Sequence, residues 1–593
     1  MDFFRTRRVY RLLPVAVLTT CLLWAFMHFS VPDHNLYPFG SDPDFPFLGG
    51  PPHYPHAYDG HPPPPPFRPP PPPGHHPKTK WSARAHAVRE AFQHAYGGYL
   101  EYAGSGDELK PVSNESVNNF NGWRLTMVDS LDTMLIMGLH DEFDHSIPIL
   151  ANMTFALGEG EFAPFFETVI RYLGGLLSAY ALSGESILLA RADDLGTMLL
   201  PAFNTTHGLP MYAVNTVTGE TRSGWTGSEI LWAEALSCQV EYKYLAHLTG
   251  RKEYFDAVER IMKLMYDAEL EDDMFPTKWS VRTGKPSNDQ FSVGAFADSA
   301  HEYLLKQYLL TAQSESKVLD LYTRDVASIL RNLLYVTPNR GLLYVTDVSR
   351  GTPSHKFEHL SCFLAGMLAL GAHTLPLAPR DRELQQWAAH GLAYTCWITY
   401  ADSEAGLGPD EMEMTTPPKG EGEAMKWLDA VAEWEQEGRP GGAPPGTRNV
   451  PVARGPDMER DYRATKTGYL LRPETVESFY YMWRTTGDET WRERGWAVFQ
   501  AIEKEAKTSS GYASLWSVLE SPARHKDEMP SFFTAETLKY LYLLFTDEDL
   551  IPLSHWVFNT EAHPLPVFHW AEWEVERYDI TTRDRPAKHT EPY

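Results

Sequence analysis

An all-α fold of helical hairpins closed into a ring is predicted by three features of the sequence. Apolar residues recur at helical spacing from Trp81 onward, as in segments 85–103, 169–184 and 533–545, the pattern of helices with one or two buried faces. Several such runs end on a glycine, at Gly184, Gly250 and Gly487, and another helical run follows each, so the unit is helix, turn, helix. Polar residues set into apolar helices or at their ends recur at Glu167, Glu241, Asp298, His359, Glu474 and Glu536, with gaps of 74, 57, 61, 115 and 62 residues. A gap near sixty suits one hairpin. An open stack of hairpins would strew these groups along a ridge, whereas closure brings them to one cavity.

The first eighty residues are organised differently. Arg5, Arg7, Arg8 and Arg11 precede an uncharged run over 12–31, and twenty residues at ~1.5 Å each span a ~30 Å hydrocarbon core. With the basic cluster before the span, residues 1–11 form a cytosolic tail, 12–31 a type II signal anchor, and the rest is luminal. A cleaved signal peptide is the competing reading, but the run is long for one and lacks a clear small-residue cleavage site. Residues 32–80 read as an extended stalk, because 18 of the 46 prolines fall between 32 and 77 and polyproline supplies no backbone donors to a packed fold. Six histidines decorate it at irregular spacing, so it is assigned no chemistry.

The body, 81–593, reads as one domain. The 115-residue gap contains a Gly, Pro and Glu-rich stretch, about 402–465, which is expected to be an inserted surface loop. A formal charge of −26 argues against nucleic acid as a partner, which would call for a basic stripe. Hydrophobic residues at 43% exclude disorder as the dominant state. Four cysteines allow at most two bridges. Sequons at Asn114, Asn152 and Asn204 fit a luminal location.

Several residues carry a chemical signal. Glu167 and Arg171 stand four apart on a helix with little polar face, so the guanidinium can hold the carboxylate. Arg472, Glu474 and Glu477 crowd a helix start, and Asp298 opens another; capping is the plain alternative for each. Glu536 lies among Phe532, Phe533, Leu538 and Leu541, a costly place for an acid without compensation. Thr560 and Glu561 follow near the C-terminus, and hard oxygen donors without a Cys/His cluster suit Ca²⁺ better than Zn²⁺. Phosphate-cradling, serine-hydrolase and zinc-protease motifs are absent from the sequence. Several acids, aromatics and a hard cation in one luminal cavity fit glycoside hydrolysis, which needs one acid and one carboxylate.

Seven segments in order, LTMVDSLDTMLIMGL, FETVIRYLGGLLSAY, ADSAHEYLLK, EHLSCFLAGMLALG, LLRPETVES, SFFTAETLKYLYLLF and FNTEAHP, resemble the class I α-mannosidases of glycoside hydrolase family 47. The resemblance implies an (αα)₇ barrel and inverting, Ca²⁺-dependent hydrolysis of α-1,2-linked mannose from high-mannose N-glycans in the endoplasmic reticulum or Golgi. Glu167 matches the general acid, directly or through a water, Glu474 the general base, and Asp298 a third essential carboxylate. Thr560 matches the Ca²⁺ ligand, with Glu477, Glu536 and Glu561 orienting its waters. Arg171 and Arg472 would position carboxylates or sugar hydroxyls, Phe532 would pack on the terminal mannose, and Glu241 and His359 would line the cavity. Cys362 and Cys396 match the family's paired cysteines, leaving Cys238 free. Phe296 stands where narrowly specific endoplasmic reticulum members carry Arg, which leaves narrow specificity and broader, Golgi-like trimming both open; Pro530 and Asp410 also depart from common family residues. The alternative is a non-hydrolytic mannose-binding protein that sorts misfolded glycoproteins, keeping the barrel without a working acid/base pair.

Overall fold

The computed structural model describes residues 79–580 apart from 419–421 and 456–457. The expected tail, the anchor at 12–31 and nearly all of the stalk lie outside the described residues. Among those described, no helix is long and apolar enough to cross a membrane.

Fourteen of the helices form the body. In chain order they are α1 (Lys80–Ala103), α2 (Leu131–Ile136), α3 (His140–Ala151), α4 (Gly174–Ser183), α5 (Ser186–Leu199), α6 (Gln239–Thr249) and α7 (Lys252–Tyr266). They continue with α8 (Asp298–Leu310), α9 (Ser316–Asn332), α10 (Phe363–Thr374), α11 (Pro379–Ala401), α12 (Glu474–Thr486), α13 (Thr490–Glu505) and α14 (Leu538–Phe545). The even-numbered helices touch in sequence, α2 to α4 and on to α14, and the turn before α14 packs back on α2. That contact closes the inner ring. Each inner helix packs on the next helix in the chain, except that α14 pairs with α1, so the two ends of the body complete the last hairpin.

Composition sorts inner helices from outer ones. In α10 every residue from Phe363 to Ala372 is buried, as a helix covered on both sides must be. In α7, Tyr254, Phe255, Val258, Ile261, Met262 and Met265 are buried at 3.6-residue spacing, with charged residues between them on the outward face. Each such side chain contributes ~1.5–3 kcal/mol on burial. Helices α4, α6 and α12 end at Gly184, Gly250 and Gly487, whose φ angles of 76°, 68° and 71° lie in the left-handed region that glycine enters without a Cβ clash. The first helix starts at Lys80, inside the expected stalk, because Thr79 and Ser82 form a reciprocal capping box.

The expected surface loop at 402–465 has structure of its own. Strands β1 (Lys356–Glu358), β2 (Glu411–Met414) and β3 (Tyr462–Lys466) make an antiparallel sheet, and helix Trp427–Gln436 buries Trp427, Val431 and Trp434. Its Gly, Pro and Glu content masked a few well-spaced apolar anchors. The sheet matters to the site, since the His359 N–H donates to the Asp410 carbonyl at 3.0 Å just beyond the β1–β2 pairing.

A disulfide joins Cys362 to Cys396, tying the turn before α10 to α11, and Cys238 is free and buried. Replacing both bridging cysteines with serine is expected to lower stability by ~2–5 kcal/mol. Thermal melts of the variant and of wild type, with and without reductant, check this; unchanged melting in the variant would remove the bridge as a stabilising element.

Candidate active site

A cavity of about 220 Å³ opens among the N-terminal ends of α8 and α12, the turn before α10, and two stretches of π-helix. Those stretches, Thr168–Leu173 and Phe533–Thr537, interrupt what the apolar period predicts as continuous α-helix. A π turn widens the helix and turns its side chains, and it is common where function competes with regular backbone. One π turn carries Arg171 just after Glu167 and the other carries Glu536. The fourth wall is the tip of a hairpin between β4 (Trp556–Phe558) and β5 (Pro564–Pro566). Gly174 lets that tip approach, since a Cβ there would stand 2.5 Å from Asn559 Nδ2.

Ten of the sequence-predicted residues line this cavity: Glu167, Arg171, Asp298, Arg472, Glu474, Glu477, Phe532, Glu536, Thr560 and Glu561. Arg171 serves three carboxylates. Its Nε donates to Glu167 Oε2 at 2.7 Å, its Nη1 pairs with Glu561, and Asp129 lies 3.8 Å away. Arg472 Nε donates to Asp410 Oδ1 at 3.0 Å, which places the departure at 410 in a direct contact with the cavity wall. Phe532 lies between the two guanidiniums, 5.8 Å from that of Arg171 and 6.0 Å from that of Arg472.

Three predicted cavity residues stand elsewhere. His359 lies behind Glu474, where its Nδ1 is 2.8 Å from Glu474 Oε2 and its Nε2 is 2.6 Å from the Tyr400 hydroxyl. With Nδ1 donating to the carboxylate and Nε2 accepting from the phenol, the imidazole fixes the orientation of Glu474. Glu241 lies one layer below the cavity on α6. Its Oε1 accepts from Tyr303 Oη at 2.6 Å and Asn559 Nδ2 at 2.7 Å, while Oε2 has no partner. Burial, only partly offset by these bonds, pushes its pKa up to about 7. It therefore steadies the hairpin tip through Asn559 and stands outside the cavity lining. Phe296 is half-buried against Trp225 at the rim, while its neighbour Ala295 reaches the cavity.

The acids share too little positive charge. Burial pushes the Asp298 carboxyl up to about 7, and repulsion from Glu302, Glu358 and Glu474 adds to it. Burial and mutual repulsion also raise Glu477, Glu536 and Glu561 well above the usual carboxylate range, against opposing pulls from Lys306 on Glu477 and from Arg171 on the other two. A group of oxygen donors crowded around Thr560, with carboxylates repelling one another, is the field that a hard dication neutralises. Among the described residues no three Asp, Glu, His or Cys side chains converge to clasp a metal directly. A cation here would take oxygens from Thr560 and meet the acids through waters, so the residues present fit Ca²⁺.

Two features escaped sequence reasoning. Glu302 lines the cavity and pairs with Lys306; the i, i+4 spacing of Asp298, Glu302 and Lys306 on one helix face was the available signal. Beneath the floor, His563 bridges Asp129 Oδ1 at 3.0 Å and Asp132 Oδ2 at 2.9 Å, and Lys539 Nζ lies 3.0 Å from Asp132 Oδ2 and 2.6 Å from the Ala562 carbonyl. These charges lie 407 residues apart in sequence, and no local pattern pairs them.

Known proteins agree with this architecture. The family described as Glycosyl hydrolase family 47 matches residues 91–567. Mannosyl-oligosaccharide 1,2-alpha-mannosidase IB of Homo sapiens is 37% identical over 82% of this chain and 70% of its own length. The endoplasmic reticulum mannosyl-oligosaccharide 1,2-alpha-mannosidase of Rattus norvegicus is 37% identical over 82% of this chain and 68% of its own length. Among solved structures, the alpha-1,2-mannosidase from Trichoderma reesei superposes with a TM-score of 0.71 at 29% identity, covering 82% of this chain and 99% of that one. With a closed α-helical barrel, a carboxylate-lined cavity at its centre and a match spanning most of the body, this chain belongs to glycosyl hydrolase family 47.

Proposed function

We propose that this glycoside hydrolase removes terminal α-1,2-linked mannose from high-mannose N-glycans, with inversion at the anomeric carbon and with Ca²⁺ bound at Thr560. The observation that carries the reading is the joining of Glu167, Asp298 and Glu474 in one small cavity. At about 220 Å³ it falls below the usual ~300–1,000 Å³ of small-molecule sites.

Glu474, aligned by His359, takes a proton from the attacking water. That water bonds to C1 as the C1–O bond breaks, and a proton passes to the departing oxygen. Glu167, held by Arg171, supplies that proton directly or through a water. Asp298, at the start of α8 beside the other acids, can hydrogen-bond to the reacting groups. Arg472 and Phe532 orient the ring. Ca²⁺, when bound, would supply a positive centre for sugar hydroxyls, held by Thr560, with Glu477, Glu536 and Glu561 ordering the surrounding waters. The basic cluster and apolar run at the N-terminus support a type II anchor in the endoplasmic reticulum or Golgi membrane, with a stalk carrying the barrel into the lumen.

The test is NMR of the full-length protein digesting a high-mannose glycan with Ca²⁺ and after chelation. Release of β-mannose that stops on chelation is the expected result. Release of α-mannose would overturn inversion, and undiminished release after chelation would overturn the Ca²⁺ assignment. Binding without any release would leave the mannose-binding alternative in its place.

A further inference from the structure

The end of the ring remote from the catalytic residues carries a larger cavity. Glu474 opens α12 and Thr486 closes it, ~18 Å apart at ~1.5 Å per residue. At the Thr486 end a cavity of about 600 Å³ is lined by Met482 and Thr486 of α12, His373 of α10, Trp387 and His390 of α11, and Ala443 of the inserted segment. Its principal aromatic is fixed in place. Arg380 and Arg439 stand 5.4 and 5.6 Å from the Trp387 ring centroid, and Trp434 meets it edge-on at 5.7 Å. The indole N–H groups of Trp427 and Trp434 donate to the Pro445 and Pro440 carbonyls at 3.0 Å, whereas that of Trp387 has no hydrogen-bond partner among the described residues.

The N-terminal segment joins the body at this same end. Thr79 Oγ1 donates to Asp547 Oδ2 at 2.6 Å, and Trp81 Nε1 donates to Glu489 Oε1 at 3.2 Å. Glu489 is three residues beyond Thr486, so the chain enters α1 beside the turn that borders the cavity. Ahead of Thr79, prolines 62–66 and 69–73 flank Phe67 and Arg68. Pro73 is six residues from Thr79, a reach of ~19 Å at ~3.1 Å per residue. Histidines aside, the charged residues of 61–80 are Arg68, Lys78 and Lys80, all basic, while the turn beside the cavity exposes Asp488 and Glu489.

We infer that the proline-rich segment 62–73 docks in this cavity, with Phe67 as its apolar anchor. A polyproline helix has no internal hydrogen bonds and presents its carbonyls as acceptors; the Trp387 indole and the rings of His373 and His390 supply N–H donors. Aromatic-lined grooves take such segments readily because the helix is already ordered before it binds. Docking folds the segment back on the body and holds the end remote from Glu474 toward the residues that precede it. With an anchor at 12–31, the catalytic cavity would then face away from the bilayer.

The inference is independent of the glycan reading, since its test reads contact and not turnover. Full-length protein carrying p-benzoylphenylalanine in place of Phe67 is irradiated in dilute detergent solution, and the cross-linked peptides are mapped by mass spectrometry. Cross-links within one chain to 369–390, 443–447 or 482–486 are the expected result. Trp387→Ala should lower their yield about fivefold, the scale of one lost aromatic contact. Ala443→Arg, which fills the cavity from an exposed loop and removes no packing side chain, should do the same with the melting temperature unchanged. Cross-links elsewhere on the body, or none at all, would overturn the docking. Cross-links chiefly between two copies would overturn it as an intramolecular contact, and a yield undiminished in both folded variants would remove this cavity as the site.

Discussion

Glutamine in place of Glu474 is expected to cost about 10²- to 10⁴-fold in kcat, the usual worth of a positioned general base. That is ~3–5 kcal/mol of transition-state stabilisation at ~1.4 kcal/mol per tenfold. The substitution keeps shape and a carbonyl oxygen, so the 2.8 Å contact from His359 Nδ1 can persist and the neighbouring Arg472 need not move. What is lost is the ability to accept a proton from water. Glycan affinity measured by calorimetry should change little, and the melting temperature should hold or rise, because one of several mutually repelling carboxylates is neutralised. A near-normal rate in Glu474→Gln would remove the base assignment, and a loss of binding with the fold intact would recast Glu474 as a binding group.

The second large effect lies beneath the site. Lys539 and Asp132 are fully buried, with His563 on the second side of the aspartate. Lys539→Met breaks the buried ion pair and leaves the Asp132 carboxylate with only His563 and the Ser178 hydroxyl, and breaking such a pair typically costs ~3–5 kcal/mol. It also strips the Ala562 carbonyl of its donor, loosening the tip that presents Thr560 and Glu561. The midpoint of urea unfolding is the measurement, and a loss below ~1 kcal/mol would show that the pair is not a keystone of the floor. The charge pattern fixes the pH dependence in wild type. Burial pushes Asp132 up, but Lys539 and His563 outweigh it and the net shift is downward. A carboxyl held below its unfolded value binds fewer protons when folded, so its contribution is fully present above ~pH 4 and is lost as pH falls through the folded pKa.

Comparison of residues shows where local patterns suffice. Inner helices such as α10 are apolar on every face and outer ones such as α7 on one face, and both patterns are local. The glycines at 184, 250 and 487 mark turns because only a residue without Cβ enters that backbone region cheaply. Acids in apolar surroundings, such as Glu536, stand out because an unpaired charge there is expensive. The local pattern said less about which acids face one space. Glu241 shares the character of Glu536 but lies a layer deeper, since its depth depends on Tyr303 and Asn559 from other hairpins. His359 carries a polar signal equal to a cavity residue's and instead stands behind one.

The sequence by itself therefore determined the helical class, the hairpin unit and the acids set in apolar surroundings, because each depends on composition or spacing within one segment, and its ordered motifs carried the family resemblance that implied the cysteine pair. Only the tertiary structure decided the closure of α14 on α1, the two π turns, the sheet inside 402–465, the Asp132–Lys539–His563 floor, and the division between residues that line the cavity and residues that stand behind it. Those features follow from which distant segments share a volume. That is set by packing the whole ring at once, and no window of sequence contains it.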